Sequence, residues 1–337
     1  MSRTPRIAAV LLTAAVALTG CSASAPGDDQ TGGAGDGTFP VTIEHAFGET
    51  EITAQAERVV TLGWGSTDAA LALGVVPVAI PSEDYAGGED GVLPWIEDAL
   101  DELGAQTPTV LPASADEPAY EEIAEAAPDL ILAPYSGVTE EQYELLSAIA
   151  PTVVYPETAW ATPWRDVITI VGESLGMADE ADAVLADIDD QLASVATEHP
   201  EFEGKTVAAV WDVAGTFYVY KPEDPRVEFM FDLGLQSAPS VEELANGDQT
   251  FFYTLSYEQL DQLEADILVA YANTQEEFDA FLAAGYAQAI PAVQSGAVAP
   301  VVGTELVSSV SPPTALSLPW GLDQLVDALT AAAPNAG

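Results

Sequence analysis

One helix–strand pattern occurs twice in this chain, and the repeat constrains the fold more than any other feature. AYEEIAEAAPDLILA spans residues 119–133, and SYEQLDQLEADILVA spans residues 256–270. Each segment begins with Tyr-Glu at the start of a helical pattern and ends with an acidic residue followed by a short apolar strand. The repeat predicts two lobes of similar design. The identities are few, so the alternative is a coincidence between two amphipathic helix–strand units.

The regions around the repeat alternate strands with helices. Residues 58–80 give a β-branched strand, a glycine-bracketed turn, a helix that ends at Gly74 and a second strand, an order that joins parallel strands. Residues 41–54 predict a hairpin, and the alternation resumes after Pro200. A chain of 337 residues with 48% hydrophobic residues is sufficient for two packed lobes.

A different pattern separates the two alternating regions. Residues 179–198 carry a helical stripe of apolar side chains, which are Val184, Leu185, Ile188, Leu192 and Val195. We therefore expect an α/β fold in which two Rossmann-like lobes are joined by one long α-helix of about 30 Å, with a ligand cleft between the lobes. The predicted segments are an N-terminal α/β lobe over 38–160, linker helices over 161–199 and a C-terminal α/β lobe over 200–333.

The start of the chain has the pattern of an export signal. Arg3 and Arg6 precede an apolar run and small residues, which predicts a signal peptide over residues 1–20. The run ends in LTGC, which resembles the bacterial lipobox and implies a lipid on Cys21, the only cysteine. The alternative for Cys21 is a buried free thiol. Residues 21–37 are rich in Gly, Ser and Asp and predict a lipid-anchored flexible linker.

The chain is strongly acidic. It has 7 Lys and Arg against 55 Asp and Glu, and removal of residues 1–20 leaves 5 against 55, a formal net charge of −50. This charge excludes nucleic acid as a natural partner and disfavours direct contact with anionic lipid headgroups, because both need a basic surface. An anionic ligand would have to meet one of few cations, which are Arg58, Arg165, Lys205, Lys221 and Arg226.

Four segments, taken in their order and spacing, resemble a known family. They are ERVVTLGWGSTDAALALGVVPVAI, PAYEEIAEAAPDLILA, YELLSAIAPTVVY and LSYEQLDQLEADILVA. From about residue 42 to residue 329, the chain is similar to the substrate-binding lipoproteins of bacterial iron–siderophore ABC importers, whose two lobes are joined by one long helix. The resemblance implies a monomeric receptor, not an enzyme, held by its lipid anchor on the outer face of the plasma membrane, at the cell surface or in the periplasm.

The resemblance also implies a role for the repeated glutamate. Family members dock on an ABC permease dimer through one acidic residue on each lobe, and the matching positions here are Glu121 and Glu258. Two like charges at pseudo-symmetric positions suit a twofold-symmetric receptor, because charge pairing sets register and orientation. The alternative for each glutamate is a solvated helix face near the positive end of the helix dipole.

Aromatic residues follow many of the predicted strands, at the sheet edge where open α/β folds bind ligands. The predicted ligand-binding residues are Trp64, Trp95, Tyr135, Trp160, Trp211, Tyr218, Arg226 and Tyr271. Aromatic faces suit a flat chelate, whereas Trp164 is expected in the linker core. Arg226 is the candidate for an anionic group of the ligand, and an ion pair with Glu223 or Asp224 is the alternative.

The ligand that the resemblance implies is a ferric siderophore, in which the chelator and not the protein holds the iron, so no cofactor or protein metal site is expected. Haem and cobalamin are alternatives within the same fold. A receptor for a bare metal ion is disfavoured, because the two histidines, His45 and His199, do not follow strands. A hydrolase is disfavoured, because no GxSxG elbow, P-loop or dinucleotide fingerprint occurs. One stiff helix between the lobes predicts modest closure.

Overall fold

The computed structural model describes residues 39–112, 117–247 and 249–336. The predicted signal peptide, Cys21 and the predicted linker over 21–37 lie outside the described residues. The described residues form one compact unit. None of the helices in the described ranges is long and apolar enough to cross a membrane.

The N-terminal lobe is a parallel sheet preceded by the expected hairpin. The hairpin pairs β1 (Val41–His45) with β2 (Gly48–Ile52) in antiparallel register. The sheet strands are β3 (Val59–Thr61), β4 (Ala79–Pro81), β5 (Thr109–Leu111), β6 (Leu130–Ala133) and β7 (Thr152–Val154). The helices are α1 (Ser66–Ala72), α2 (Pro94–Glu102), α3 (Tyr120–Glu125) and α4 (Glu140–Ser147). The strand order is β5-β4-β3-β6-β7, with all neighbours parallel.

Two consecutive helices link the lobes. α5 (Trp164–Ser174) is followed by α6 (Ala178–Glu198), whose 21 residues span about 31 Å at 1.5 Å per residue. Ile188 and Leu192 of the predicted stripe are buried, and the other three stripe residues are half-buried. The long helix expected between the lobes is therefore α6, with α5 packed against it.

The C-terminal lobe is a mixed sheet. Its strands are β8 (Thr206–Val213), β9 (Thr216–Tyr220), β10 (Gln236–Ser237), β11 (Phe252–Leu255), β12 (Ile267–Ala272) and β13 (Val298–Val302). Its α-helices are α7 (Pro225–Asp232), α8 (Pro239–Glu243), α9 (Gln275–Ala283), α10 (Pro291–Ser295), α11 (Thr304–Ser309) and α12 (Ser317–Ala332), and 3-10 helices span Pro200–Phe202, Tyr257–Gln262, Ala287–Ala289 and Ala333–Asn335. The order is β11-β9-β8-β12-β13, with β10 beside the start of β8.

The repeated sequence unit occupies the same topological place in both lobes. β6 lies between β3 and β7, and β12 lies between β8 and β13, so each repeat supplies the strand next to the first strand of its sheet. The expectation of equivalent helices is corrected, because the first repeat forms α3 whereas the second forms a 3-10 helix. The sheets also differ, since β8 and β9 form a hairpin whose turn residues Ala214 and Gly215 have φ of 52° and 77°.

The N-terminal lobe also contacts residues 310–316 of the C-terminal lobe, which we call the return segment. Trp64 of the first lobe donates a hydrogen bond from Nε1 to the carbonyl oxygen of Pro312, at 3.0 Å. Thr314 donates to a carboxylate oxygen of Asp68 on α1. Trp320 on α12 packs against Trp95 on α2, with ring centroids 5.5 Å apart. This return segment, residues 310–316, is a second connection between the lobes besides the linker helices.

Candidate functional site

A groove lies at the carboxyl ends of the parallel strands of the N-terminal lobe. Because parallel strands end at one edge of a sheet, the loops after β3, β4, β5 and β6 meet there. They line a cavity of about 640 Å³ that includes Glu83, Tyr85, Ser136, Gln142 and Trp160. A cavity of this size is typical of small-molecule sites. We call it the groove.

An exposed tryptophan at the groove contacts a half-buried tyrosine. Trp160 is 53% exposed, with φ of 59°, and its ring meets that of Tyr135 edge to face at a centroid distance of 5.7 Å. The indole lies against Gly137, where a Cβ atom would be 2.3 Å from Trp160 Nε1. The glycine therefore lets the indole lie against the backbone. A large ring left exposed in a strained backbone conformation is typical of a functional site.

Trp64 and Tyr135 form the side of the site nearest the linker. The backbone N–H of Trp64 donates to the carbonyl oxygen of Tyr135 at 3.0 Å, and both side chains are half-buried. Together with Pro225 and Pro312 of the other lobe they line a smaller cavity between the lobes. Burial raises the pKa of Tyr135, and the charges of Asp224 and Arg226 act on its hydroxyl in opposite directions. Tyr135 therefore faces the second lobe.

The second lobe presents its own aromatic cluster. Trp211 on β8 is paired in register with Tyr271 on β12 and with Tyr218 on β9, so the three rings lie at one level of the sheet. The Trp211 and Tyr271 ring centroids are 6.2 Å apart. Trp211 and Tyr218 are half-buried, whereas Tyr271 is 3% exposed. The buried Trp211 Nε1 and Tyr271 hydroxyl have no hydrogen-bond partner among the described residues.

Arg226 lies over these rings and is paired with an acid. Its Cζ atom is 3.9 Å from the ring centroid of Tyr220 and 5.9 Å from that of Tyr271. Its Nε donates to Asp224 Oδ1 at 2.7 Å, and Asp224 also caps the start of α7. Burial by itself would lower the pKa of Arg226, but Asp224, Tyr220 and Tyr271 together outweigh it, so the pKa is raised and the guanidinium stays charged. Arg226 thus forms the ion pair with Asp224 that the sequence allows as its alternative role.

The prediction that Trp95 binds the ligand is corrected by its burial. Trp95 lies on α2, is 2% exposed and donates from Nε1 to Asp68 Oδ1 at 2.8 Å. Its ring and its polar atom are thus both used within the core. Trp164, expected in the linker core, is buried at the start of α5 with the Arg165 guanidinium 4.2 Å from its ring centroid.

Sequence reasoning missed the residues of the loop after β4. Tyr85 is 47% exposed, and its hydroxyl donates to Asn273 Oδ1 of the other lobe. Burial, together with the charges of Asp68 and Asp84, raises the pKa of Glu83 to about 7. The sequence signal that could have indicated this loop is the glycine-rich segment DYAGGEDG, residues 84–91.

The two glutamates predicted to dock the permease are both exposed. Glu121 is in the first turn of α3, and Glu258 is in the 3-10 helix that follows β11. Tyr257, beside Glu258, donates from its hydroxyl to Asp212 Oδ1 at 2.7 Å, and Tyr286 donates to Oδ2 at 2.6 Å. Asp212 follows Trp211 on β8, so the helix carrying Glu258 is tied to a strand of the site.

Histidines do not contribute to the site. His45 is buried in the hairpin, with Nε2 3.0 Å from Thr50 Oγ1, and His199 lies after α6 beside Glu201. Over the part of the chain that the structure describes, no three His, Cys, Asp or Glu side chains are grouped to hold a metal ion. The site therefore offers rings and hydrogen-bonding groups to a ligand.

Comparison with known proteins gives consistent matches over most of the chain. A family model described as Periplasmic binding protein matches residues 59–300. The probable siderophore-binding lipoprotein YfiY of Bacillus subtilis is 30% identical over 263 residues, which cover 77% of this chain and 76% of the relative. The ferric enterobactin-binding periplasmic protein FepB of Escherichia coli is 26% identical over 282 residues, 79% and 85% of the two chains.

A solved structure matches the fold. The crystal structure of PiaA from Streptococcus pneumoniae TIGR4 in complex with ferrichrome has a TM-score of 0.77 and 33% identity, and the match covers 88% of this chain and 100% of that one. The two-lobed α/β fold and the family resemblance expected from the sequence are confirmed by these matches.

Proposed function

The chain belongs to the periplasmic binding protein family, and we propose that it is the extracytoplasmic receptor of an ABC importer that binds a ferric siderophore between its lobes. It then delivers the complex to a permease dimer in the plasma membrane. Its relatives in the family are substrate-binding proteins, and a receptor role without catalysis is part of the proposal. The lipid on Cys21, the monomeric state and the position on the outer face of the membrane are further parts of it.

One observation carries the proposal: aromatic clusters stand on both sides of the cleft. Tyr135 and Trp160 lie on the N-terminal side, and Trp211 and Tyr218 lie on the C-terminal side. A ferric siderophore presents an organic shell around its iron, and rings can cover that shell by stacking while their polar edges bind its oxygens. The chelator supplies the ligands of the iron, so the receptor needs no metal-binding side chains of its own.

Delivery to the permease is proposed to use Glu121 and Glu258. Both are exposed, one on each lobe. Exposed charges at separated points suit a docking surface, because they set orientation and association rate without a large buried area. The bond between Tyr257 and Asp212 holds the second of these glutamates to the strand that carries Trp211.

Tryptophan emission tests the ligand class. A chain that starts at Asp36, which contains the whole compact unit, is titrated with ferric hydroxamates, ferric catecholates, ferric citrate, haem, cobalamin and free metal ions. The proposal predicts saturable quenching by a ferric siderophore and not by the iron-free chelator at equal concentration. Trp160→Ala should remove part of this signal, because Trp160 is the exposed indole at the groove.

The remaining outcomes separate the alternatives. Saturation by haem or cobalamin alone would keep the receptor fold and replace the ligand. Saturation by a free metal ion, or no response to any member of the panel, would reject the proposed ligand class altogether.

A further inference from the structure

Carboxylates stand along one side of the groove. Glu83 and Asp84 lie in the loop after β4, separated from the strand by Ser82, and both line the cavity, Glu83 half-buried and Asp84 exposed. Ser82 Oγ donates to Asp84 Oδ1 at 3.3 Å, which holds the second carboxylate beside the first. The described residues that line this groove include no Lys, Arg or His.

Arg226, the described cation that faces the cleft from the C-terminal lobe, is already paired with an acid. Arg226 and Asp224 form an ion pair in which Asp224 has a side chain only 4% exposed, so the pair adds almost no net charge to the cleft. The guanidinium keeps N–H groups beyond the Nε that binds Asp224, and these can donate to a neutral oxygen of a ligand.

The remaining described cations are held away from the cleft. Arg58 donates to the carbonyl oxygens of Ala126 and Ala127, at the amino ends of the strands. Arg165 pairs with Asp189 and Asp232 beside the linker helices. Lys205 precedes β8 at its amino end, and Lys221 donates to the carbonyl oxygen of Gln249. None of these described side chains lines the groove.

We propose that Glu83 and Asp84 make the receptor selective for ferric siderophores of zero or positive net charge, of the tris-hydroxamate class, and against anionic tris-catecholates. The inference rests on the proposed function and concerns the same cleft. Three hydroxamates lose one proton each and balance the charge of Fe(III). Three catecholates lose two protons each and leave three negative charges on the complex.

The size of the electrostatic repulsion favours neutral over anionic ferric siderophores. At an effective dielectric constant of 20, the repulsion between a trianion and even one ionised carboxylate about 8 Å away is worth well over tenfold in affinity. The acidic protein as a whole adds a repulsive field for anions during association. The raised pKa of Glu83, about 7, has the same physical origin, because burial and two neighbouring carboxylates make one more negative charge unfavourable there.

The test compares two chelates and two variants of the chain from Asp36. Isothermal titration at pH 8.5, above the pKa of Glu83, gives the dissociation constants of ferrichrome, a neutral tris-hydroxamate, and of ferric enterobactin, an anionic tris-catecholate. We expect ferrichrome to bind about 100-fold more tightly or better in the unmodified chain. Glu83→Gln with Asp84→Asn should narrow this ratio about tenfold, chiefly by strengthening ferric enterobactin binding.

A matched control variant removes two negative charges from a different part of the surface. Glu97 and Asp98 are another adjacent acidic pair, exposed on α2 and absent from the groove lining. Glu97→Gln with Asp98→Asn should leave the ratio within about twofold of the unmodified chain, because distant surface charges are screened. Equal changes in both double variants would overturn the role of Glu83 and Asp84.

The outcomes also separate this inference from the proposed function. Ferric enterobactin binding as tightly as ferrichrome would overturn the charge selection and leave the siderophore receptor in place. Binding of haem or cobalamin, with no binding of any ferric siderophore in the panel, would overturn both.

Discussion

Thr314, which reaches back from the C-terminal lobe, donates a hydrogen bond to the same carboxylate oxygen of Asp68 that accepts one from Trp95. Asp68 is 3% exposed. The contact therefore joins the lobes at a point that water does not reach. Burial raises the pKa of Asp68 to about 6, and the hydrogen bonds from Thr314 and Trp95 offset part of this rise. The junction of the lobes thus contains a carboxyl group whose ionised form is unfavourable.

Asp68→Asn should stabilise the protein more as the pH rises. A carboxyl whose pKa is raised on folding contributes stability that is fully present below its unfolded pKa, near 3.8, and lost as the pH passes through about 6. Asparagine keeps the oxygen that accepts both hydrogen bonds and never ionises. Relative to the unmodified chain, the free energy of unfolding of the variant should rise by about 2–3 kcal/mol between pH 4 and pH 7.5.

Urea unfolding of both proteins at pH 4, 6 and 7.5 measures this difference. Thr314→Val is the companion variant, because it removes a donor and leaves the carboxylate less satisfied, and it should destabilise the protein by about 1–3 kcal/mol at neutral pH. A difference between Asp68→Asn and the unmodified chain that stays constant with pH would contradict the assignment.

The sequence was sufficient for the fold because its patterns are local. Strand–helix alternation, the apolar stripe of α6 and the repeated unit each appear within about 20 residues, and the two repeats take the same place in their sheets. The 3-10 form of Tyr257–Gln262 was not predictable, because the six residues suit either helix type and tertiary contacts of Tyr257 decide between them. The contact of Thr314 with Asp68 leaves no local pattern at all, since 246 positions separate the two residues.

The ligand-binding residues were only partly predictable, because an aromatic residue after a strand can lie either beside the cleft or in the core. Trp64, Tyr135 and Trp160 lie beside the cleft, whereas Trp95 lies in the core. An indole can be buried when its N–H finds an acceptor, and Asp68, 27 positions earlier, supplies one. Residue type alone does not distinguish these cases. Glu83 and Asp84 were missed because two acids among 55 carry no signal until the fold brings them to the groove.

Trp160→Ala should weaken ligand binding about 10- to 30-fold, because a large ring at the centre of a contact contributes roughly 2 kcal/mol. Gly137→Ala should weaken it by a similar factor, since its Cβ would lie 2.3 Å from Trp160 Nε1 and displace the indole. The double variant should lose no more ligand affinity than Trp160→Ala alone, because both substitutions act through one ring.

Calorimetric titration of the three variants with the ligand found in the panel tests this coupling. Leu103→Ala serves as the control, because Leu103 is also exposed, at 43%, but lies after α2 and outside the groove. Additive losses in the double variant would show that Gly137 does not act by positioning Trp160.

The hydrogen bond between Tyr85 and Asn273 should slow release of the ligand. It joins the rims of the two lobes beside the groove, and Asn273 is itself fixed by its N–H, which donates to Glu277 Oε2 at 2.9 Å. Tyr85→Phe removes one exposed hydrogen bond, worth about 0.5–1 kcal/mol, and should raise the dissociation rate two- to fivefold with little effect on unfolding. Stopped-flow displacement measures the rate. Asn273→Ala should have the same effect, and the pair together no greater one.

Glu121→Gln with Glu258→Gln should separate delivery from binding. Both side chains are exposed and contribute nothing to the cavity linings, so the dissociation constant of the ligand should stay within about twofold. Iron uptake by cells that depend on this receptor should fall about tenfold or more, because loss of two charge pairs at a docking surface slows association and removes its register. The single variants should show intermediate losses of iron uptake.

Glu122→Gln with Asp261→Asn is the matched control, since these exposed acids belong to the same two helices and carry the same total charge. Equal uptake by the two double variants would mean that net charge, and not the repeated positions, governs docking.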